Sequence, residues 1–238
     1  MYPGSPVKWC IFNTLIREQG FMDQLQNVTS IIALTMGVAW ASGINLYAAV
    51  LMLGILGTSG SLALPADLQV LAHPAVIGAA GIMYCIEFFA DKVPGVDTGW
   101  DTLHTFIRIP AGAVLAAGAA GGIDPSVSLA AGLVGGTVAA TSHAAKSGTR
   151  VLINTSPEPV TNWIASLTED VAVLAGLWTA LNHPILFLVL IGLFLLLMVW
   201  LLPKLWRGVK KIFGFLGRLL TGQRRDPPAG PPAAPTVK

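Results

Sequence analysis

Residues 78–108, GAAGIMYCIEFFADKVPGVDTGWDTLHTFIR, decide the fold of this chain of 238 residues. The stretch begins as an apolar helix suited to a membrane, enters a cluster of charges, and then returns towards the membrane. Residues 132–170, GLVGGTVAATSHAAKSGTRVLINTSPEPVTNWIASLTED, repeat this arrangement around a break at NTSPEP. The two stretches predict two helical hairpins that carry the polar chemistry of the protein.

The composition is that of an integral membrane protein. Hydrophobic residues make up 54% of the chain and charged residues 11%, and the mean hydropathy is +0.69. Soluble proteins carry about 25% charged residues, so a soluble domain is excluded. Cys10 and Cys85 have neither the spacing of a disulfide framework nor that of a metal site.

Hydropathy predicts an all-α, polytopic fold with about six membrane spans. They cover about residues 28–58, 74–91, 100–120, 126–146, 157–181 and 184–203. The first is longer than the roughly 20 residues that a bilayer requires, so it is either tilted or broken between Ala41 and Asn45. Ser156, Pro157 and Glu158 are typical of the start of a helix and mark the fifth span.

The segments outside the spans have distinct compositions. Residues 1–21 are interpreted as an N-terminal extension, with Met22 as an alternative start. Residues 204–225 contain seven Lys or Arg and predict a basic amphipathic helix on an anionic membrane surface, and residues 226–238 predict a disordered, proline-rich tail. The distribution of Lys and Arg among the loops places both termini in the cytoplasm, and we expect a bacterial inner membrane and no nucleic-acid binding.

The two hairpins also show weak similarity to each other. Aligning Gly78 with Gly132 places Lys92 on Lys146, which would make the hairpins a parallel repeat. Alanine-rich helices also produce such matches by chance, so duplication and coincidence both stay open.

Charged groups within spans are the candidates for a functional site, because each costs about 2.5–3.5 kcal/mol to insert. The candidates are Asn45, Glu87, Asp91, Lys92, His104, Arg108, His143, Lys146, Arg150, Glu169 and Asp170. Helical rise places them together in the cytoplasmic half of the membrane. One hypothesis is that they neutralise one another as a structural ion-pair network. The other is a polar cavity in which Glu87 or Asp170 exchanges protons while Lys146 and Arg150 hold an anion.

Two further kinds of site have weaker support. Asp91, Asp97 and Asp101, with His104 nearby, offer oxygen ligands to a hard cation, although capping of the next helix also explains Asp97 and Asp101. The usual hydrolase, metalloprotease and P-loop motifs are missing from the sequence, and no cofactor is expected. His104, Arg108, His143 and Arg150 are the residues from which a membrane enzyme acting on lipid or isoprenoid phosphate would be built.

Four segments resemble a known membrane family, the domain of unknown function 4126 family. They are SGINLYAAVLMLGILG (42–57), EFFADKVPGVDTGWDTLHTFIRIPAGA (87–113), SHAAKSGTRVLINTSPEPVTN (142–162) and SLTED (166–170). The resemblance covers about residues 22–183 and implies membrane residence and a shared core, without a reaction, substrate or cofactor. The last span, the basic helix and the tail are expected to lie outside the family core.

These observations lead to three hypotheses for the function. The first is a small transporter or channel-like protein for a small polar or anionic solute or a lipid headgroup, with proton coupling as an option and with membrane lipids and further copies of itself as partners. The second is a membrane enzyme that uses the same charged residues. The third is a structural or partner-binding membrane protein whose charges are ion pairs alone.

Overall fold

A computed structural model describes residues 6–93, 95–155 and 159–221. The helices are α1 (Pro6–Thr58), a short 3-10 helix (Ala66–Ala72), α2 (Pro74–Ala90), α3 (Val96–Ala119), α4 (Pro125–Ile153), α5 (Pro159–Asn182) and α6 (Pro184–Thr221). These residues contain no β-strand, so the predicted all-α class is confirmed. The predicted helix start at Ser156, Pro157 and Glu158 and the predicted tail lie outside the described residues.

The surface is apolar and much of the interior is polar, as in a membrane protein. Large apolar side chains such as Phe106 and Val199 are exposed, whereas charged side chains such as Arg108 and Glu87 are fully buried. By length and composition, four helical stretches can cross a membrane: Glu18–Thr58, Pro125–Ile153, Val160–Asn182 and Pro184–Gly214. The 3-10 helix and α2, bent by 67°, add a fifth if they count as one span. The polytopic membrane fold is confirmed.

The helix α1 is broken at Asn45. This residue has φ −144° and ψ 94°, which is extended backbone inside an otherwise helical segment. Its side-chain oxygen accepts a hydrogen bond of 2.9 Å from the backbone N–H of Ala48. That geometry is an N-cap for the part of α1 that follows. Of the two alternatives for the first span, the break is therefore confirmed.

The first half of α1 runs towards Asn45, and the second half runs back from it. Residues before the break pack along α5 and α6, where Gly37 meets Ala180 and Phe187. Residues after the break pack on the 3-10 helix and the start of α2, where Gly54 faces Leu71 and Ile77. Part of the first half of α1 and the segment that follows its end line one cavity, whose residues are Asn27, Ser30, Ile31, Leu34, Leu62, Ala63, Leu64, Pro65, Ala119, Ala180 and Leu181. The first span is thus a re-entrant pair of helices with Asn45 at its apex.

This course of α1 places its break between the two ends of the bundle. The polar end is where α2 and α4 finish and α3 and α5 begin, and the apolar end is where α3 and α5 finish. The helices α2 to α6 run between the two ends. Residues 22–29 of α1 lie at the apolar end beside residues 182–186, and the last part of α6 lies at the polar end. The number of membrane crossings and the side on which each terminus lies stay predictions.

At the polar end, α6 continues without interruption through Pro203 to Thr221. Beyond the proline it packs on α4, where Gly148 is close to Leu205 and Gly208 is close to Leu152. The basic segment is therefore an extension of the last span, where the sequence predicted a separate surface helix.

At the other end of α4, the N-cap Asp124 accepts hydrogen bonds from the hydroxyl and backbone N–H of Ser126, which lower the pKa of the Asp124 carboxyl.

Small residues let α1, α3 and α4 approach closely. A Cβ atom at Gly43 would collide with Ser142 and the backbone of Ala139. Gly132 and Gly136 of α4 face α3, with Ala113 next to both positions. Close approach of these three helices brings their polar side chains into contact.

Candidate functional site

The inward faces of α3 and α4 change from apolar to polar along their length. On α3 the buried polar residues Asp97, Asp101, His104 and Arg108 follow one another at intervals of three or four. On α4 the corresponding run is His143, Lys146 and Arg150, and Ser142 is buried beside it. Intervals of three and four keep side chains on one helical face, so both runs point into the bundle at its polar end.

Lys146 lies at the centre of the charged cluster. Its Nζ atom is 2.8 Å from Asp91, 3.3 Å from Glu87, 3.4 Å from Glu169 and 3.6 Å from Asp101. The same ammonium donates a hydrogen bond of 3.1 Å to the carbonyl oxygen of Ile44, the residue before the break in α1. One buried cation therefore connects α2, α3, α5 and the re-entrant pair.

The two arginines extend the network in opposite directions. Arg108 contacts Glu87 at 2.5 Å and Asp101 at 2.9 Å, and all three side chains are almost completely buried. Arg150 contacts Glu169 at 2.7 Å, Asp91 at 3.7 Å and Asp97 at 4.0 Å. Since removing one partner of a buried ion pair leaves an uncompensated charge, this network fastens four helices together.

Asp170 stands apart from the network. Its Oδ1 atom accepts a hydrogen bond of 2.9 Å from the side-chain amide of Asn45, so it lies at the apex of the re-entrant pair. It is buried, and no Lys, Arg or His within the described segments lies within 4.0 Å of it. Asp170 is therefore a buried carboxyl group that forms no salt bridge with the described residues.

The cluster contains more acid than base. Its members are the carboxyl groups of Glu87, Asp91, Asp97, Asp101 and Glu169 and the cations of Arg108, Lys146 and Arg150, and Asp170 and Lys92 are buried outside the salt bridges. One buried oxygen of each of four carboxyl groups also has no hydrogen-bond partner in the described part of the chain: Glu87 Oε2, Asp91 Oδ1, Asp101 Oδ2 and Asp170 Oδ2. Buried negative charge without compensation is strongly disfavoured, so the arrangement calls for bound protons.

A family model described as Domain of unknown function (DUF4126) matches residues 32–204. The chain belongs to this family. No curated protein and no solved structure matches the chain. The match contains the whole charged cluster and extends past His183 through the last span, which the sequence had placed outside the family core. The re-entrant pair from Ile32 onwards is likewise part of the DUF4126 domain.

For neutral rings, the contacts assign the tautomers of the two candidate histidines of this DUF4126 protein. His104 Nδ1 lies 2.9 Å from the carbonyl oxygen of Trp100, to which it donates, so Nε2 accepts from the Tyr47 hydroxyl at 3.1 Å. His143 Nδ1 faces a donor of Arg108 at 3.4 Å, so Nε2 carries the proton. These tautomers follow from the donors around each ring.

Lys92 lies outside the ion-pair network. Its ammonium donates to the carbonyl oxygen of Phe88 at 2.9 Å and sits over the Phe88 ring. Burial lowers the pKa of this ammonium. Lys146, its counterpart in the predicted repeat, is the centre of the cluster, so the two positions differ in environment and the repeat stays a prediction.

The metal hypothesis finds no support here. Among the residues that the structure describes, no three or more His, Cys, Asp or Glu side chains are grouped as they would be around a metal ion. Asp97 accepts hydrogen bonds from Asn154 at 2.8 and 3.0 Å, and Asp91 and Asp101 face Lys146 and Arg108. Each of the three predicted metal ligands therefore already contacts a hydrogen-bond donor of the protein.

Three polar residues of the site escaped the sequence prediction. Asn154 bonds to Asp97, Asn162 donates to Asn154 at 3.0 Å, and Tyr47 bonds to His104. A periodic signal existed for the two asparagines, because Asn154 is four residues after Arg150 and Asn162 is eight before Asp170. Both therefore lie on helical faces that the prediction had already assigned to the site.

Proposed function

We propose that this DUF4126 protein is a small membrane transporter or channel-like protein that couples the movement of a small polar solute to protons. Asp170 is the proton-carrying group. The observation that carries the proposal is its position, buried beside Asn45 at the break of a membrane helix, where it forms no salt bridge with the described residues.

The break itself supports transport. Discontinuous helices commonly form the substrate and ion sites of transporters, because their ends offer unpaired backbone groups at membrane depth. Here the carbonyl of Ile44 binds Lys146 and the side chain of Asn45 binds Asp170, so a rearrangement of the re-entrant pair would alter both contacts. When Asp170 takes up a proton, its carboxyl becomes a weaker hydrogen-bond acceptor for the side-chain amide of Asn45. Protonation of Asp170 would thereby alter the position of the re-entrant pair.

The acid excess supports a specific form of coupling to an anionic solute. Lys146 and Arg150, the predicted anion-holding residues, already contact carboxylates, Glu169 among them. An anion reaches these cations only after a carboxylate has become neutral by taking up a proton. Solute and proton would then bind together, as in a symporter.

The basic residues after Pro203 leave the bundle at its polar end, so the positive-inside rule favours a cytoplasmic polar end. The proposed location is the cytoplasmic membrane of a bacterium, with the start of α1 on the opposite face. Since five crossing helices enclose little space alone, we also propose a homo-oligomer.

A structural scaffold is the second candidate. It is favoured by the saturation of all three cluster cations with carboxylates and by the links that they make among α2, α3, α4 and α5. In this case Asp170 would carry a proton permanently and nothing would exchange.

Two measurements distinguish these candidates. Infrared spectroscopy of the reconstituted protein at neutral pH should show a protonated carboxyl band that disappears in Asp170→Asn and persists in the control Asp23→Asn, which alters an exposed acid. Proteoliposomes containing a pH-sensitive dye should show proton influx on imposing an inorganic phosphate gradient, and Asp170→Asn should abolish it. A carboxyl band that survives Asp170→Asn would refute the assigned residue. The scaffold would be favoured by a different result: the band is absent from Asp170→Asn, the proton of this carboxyl in the unmodified protein does not exchange with heavy water, and no proton flux is measured.

A further inference from the structure

A basic face lies on α6 where this helix leaves the polar end of the bundle. Lys204, Arg207 and Lys211 follow one another at intervals of three and four, which places them on one side of the helix. All three are exposed, as is Lys210. The sequence contains no acidic residue between Asp170 and Asp226, so α6 supplies no carboxylate to neutralise this face.

Packing fixes the direction of the basic face. Leu205 is buried against Gly148, and Leu152 lies against Gly208, so this side of α6 rests on α4. Lys204, Arg207, Lys210 and Lys211 are exposed, so their side chains lie outside this contact with α4. Their orientation is set by packing that does not involve the charges themselves.

The depth of the basic face matches the headgroup layer of a bilayer. The preceding residues of α6, 184–203, rise about 30 Å, which equals the thickness of the hydrocarbon core. Trp200 and Trp206 are exposed at this level, and the Lys204 ammonium lies 3.0 Å from the centre of the Trp200 ring. Tryptophan is enriched at the boundary between hydrocarbon and headgroups, so Lys204 to Lys211 begin where phosphate groups lie.

We propose that the face formed by Lys204, Arg207, Lys210 and Lys211 binds the headgroups of anionic phospholipids. Arg207 suits a phosphate through its paired N–H donors, and the lysines supply point charges. This binding site is separate from the charged cluster and does not depend on the proposed transport.

The test compares lipid affinities of the full-length protein by native mass spectrometry in detergent. Phosphatidylglycerol is the anionic probe and phosphatidylcholine the neutral one. Since each basic residue near a surface contributes about fivefold in affinity for anionic lipid, Lys204→Gln with Arg207→Gln should weaken phosphatidylglycerol binding by about 30-fold. Phosphatidylcholine binding should stay unchanged.

The matched control is Lys8→Gln with Arg17→Gln, which removes the same charge from the N-terminal part of α1 and should change phosphatidylglycerol affinity by less than about twofold. Equal losses in the two double variants, or no loss in the α6 variant, would overturn the proposal. Displacement of the lipid by inorganic phosphate would assign the face to a free anion, and tighter binding of polyglutamate would assign it to an acidic protein. Circular dichroism checks that the helices remain folded.

Discussion

The re-entrant pair depends on one side chain, and Asn45→Ala tests that dependence. Asn45 makes two contacts that alanine cannot make: it caps the second half of α1 through Ala48 and donates to Asp170. The substitution leaves the extended backbone at this position without a cap and removes the hydrogen-bond partner of a buried carboxyl. We expect a large loss of stability from a small change in volume.

The magnitude follows from the two contacts. Loss of an N-cap costs about 1 kcal/mol. Loss of a hydrogen bond between membrane helices costs about 0.6 kcal/mol on average and up to about 1.7 kcal/mol. Asn45→Ala should therefore lower the free energy of unfolding by about 2 kcal/mol, and Asn45→Ser, which keeps a capping oxygen, by about 1 kcal/mol.

Reversible unfolding by SDS in mixed micelles measures this free energy, and a double-mutant cycle with Asp170→Ala separates the contributions. In the Asp170→Ala background, Asn45→Ala should cost only the cap, about 1 kcal/mol. The control Asn27→Ala changes an exposed asparagine on the same helix and should stay within about 0.5 kcal/mol. A loss below about 0.5 kcal/mol for Asn45→Ala, or equal losses in both backgrounds, would refute this account of the break.

Three further outcomes are expected. Arg108→Ala should lower the free energy of unfolding by about 3–5 kcal/mol because it removes the nearest cation of two buried carboxylates, Glu87 and Asp101, and adding Glu87→Gln should restore part of the loss in the same SDS assay. Gly43→Ala should lower the unfolding temperature because its Cβ would collide with α4, whereas Gly78→Ala, which meets no neighbouring atom, should be neutral or stabilising. The Asp124 pKa is lowered on folding, so the stability difference between the native chain and Asp124→Ala should be complete above about pH 5 and shrink as the pH falls through the lowered pKa.

The members of the charged cluster were predictable from the sequence. Charges are so costly in a membrane that those present have to face protein, and helical spacing then groups them on inward faces. Glu87, Arg108, Lys146 and Arg150 meet in the structure as that reasoning expects. The sequence did not show that every cluster cation is taken up by carboxylates, because pairing depends on how helices far apart in the sequence are rotated against each other.

The course of α1 was beyond prediction for a different reason. Hydropathy measures how long an apolar segment is and carries no information on its direction after a break. The same limitation applies at Pro203, where the predicted sixth span ends and the structure continues the helix. A proline removes one backbone hydrogen bond and bends a helix, but a membrane favours continuing the helix, because a broken end exposes further unpaired groups.

The break in α1 and the charged cluster stabilise each other. A helix that reverses inside a membrane leaves carbonyl and N–H groups without partners, and each of these is costly in hydrocarbon. The cluster supplies a donor from Lys146 to Ile44, and Asn45 supplies its own acceptor to Ala48. Conversely, Lys146 needs acceptors at this depth, and the break provides a carbonyl that an intact helix would hold for itself. Replacing Lys146 should therefore disturb the re-entrant pair as well as the ion pairs, and replacing Asn45 should disturb the environment of Asp170.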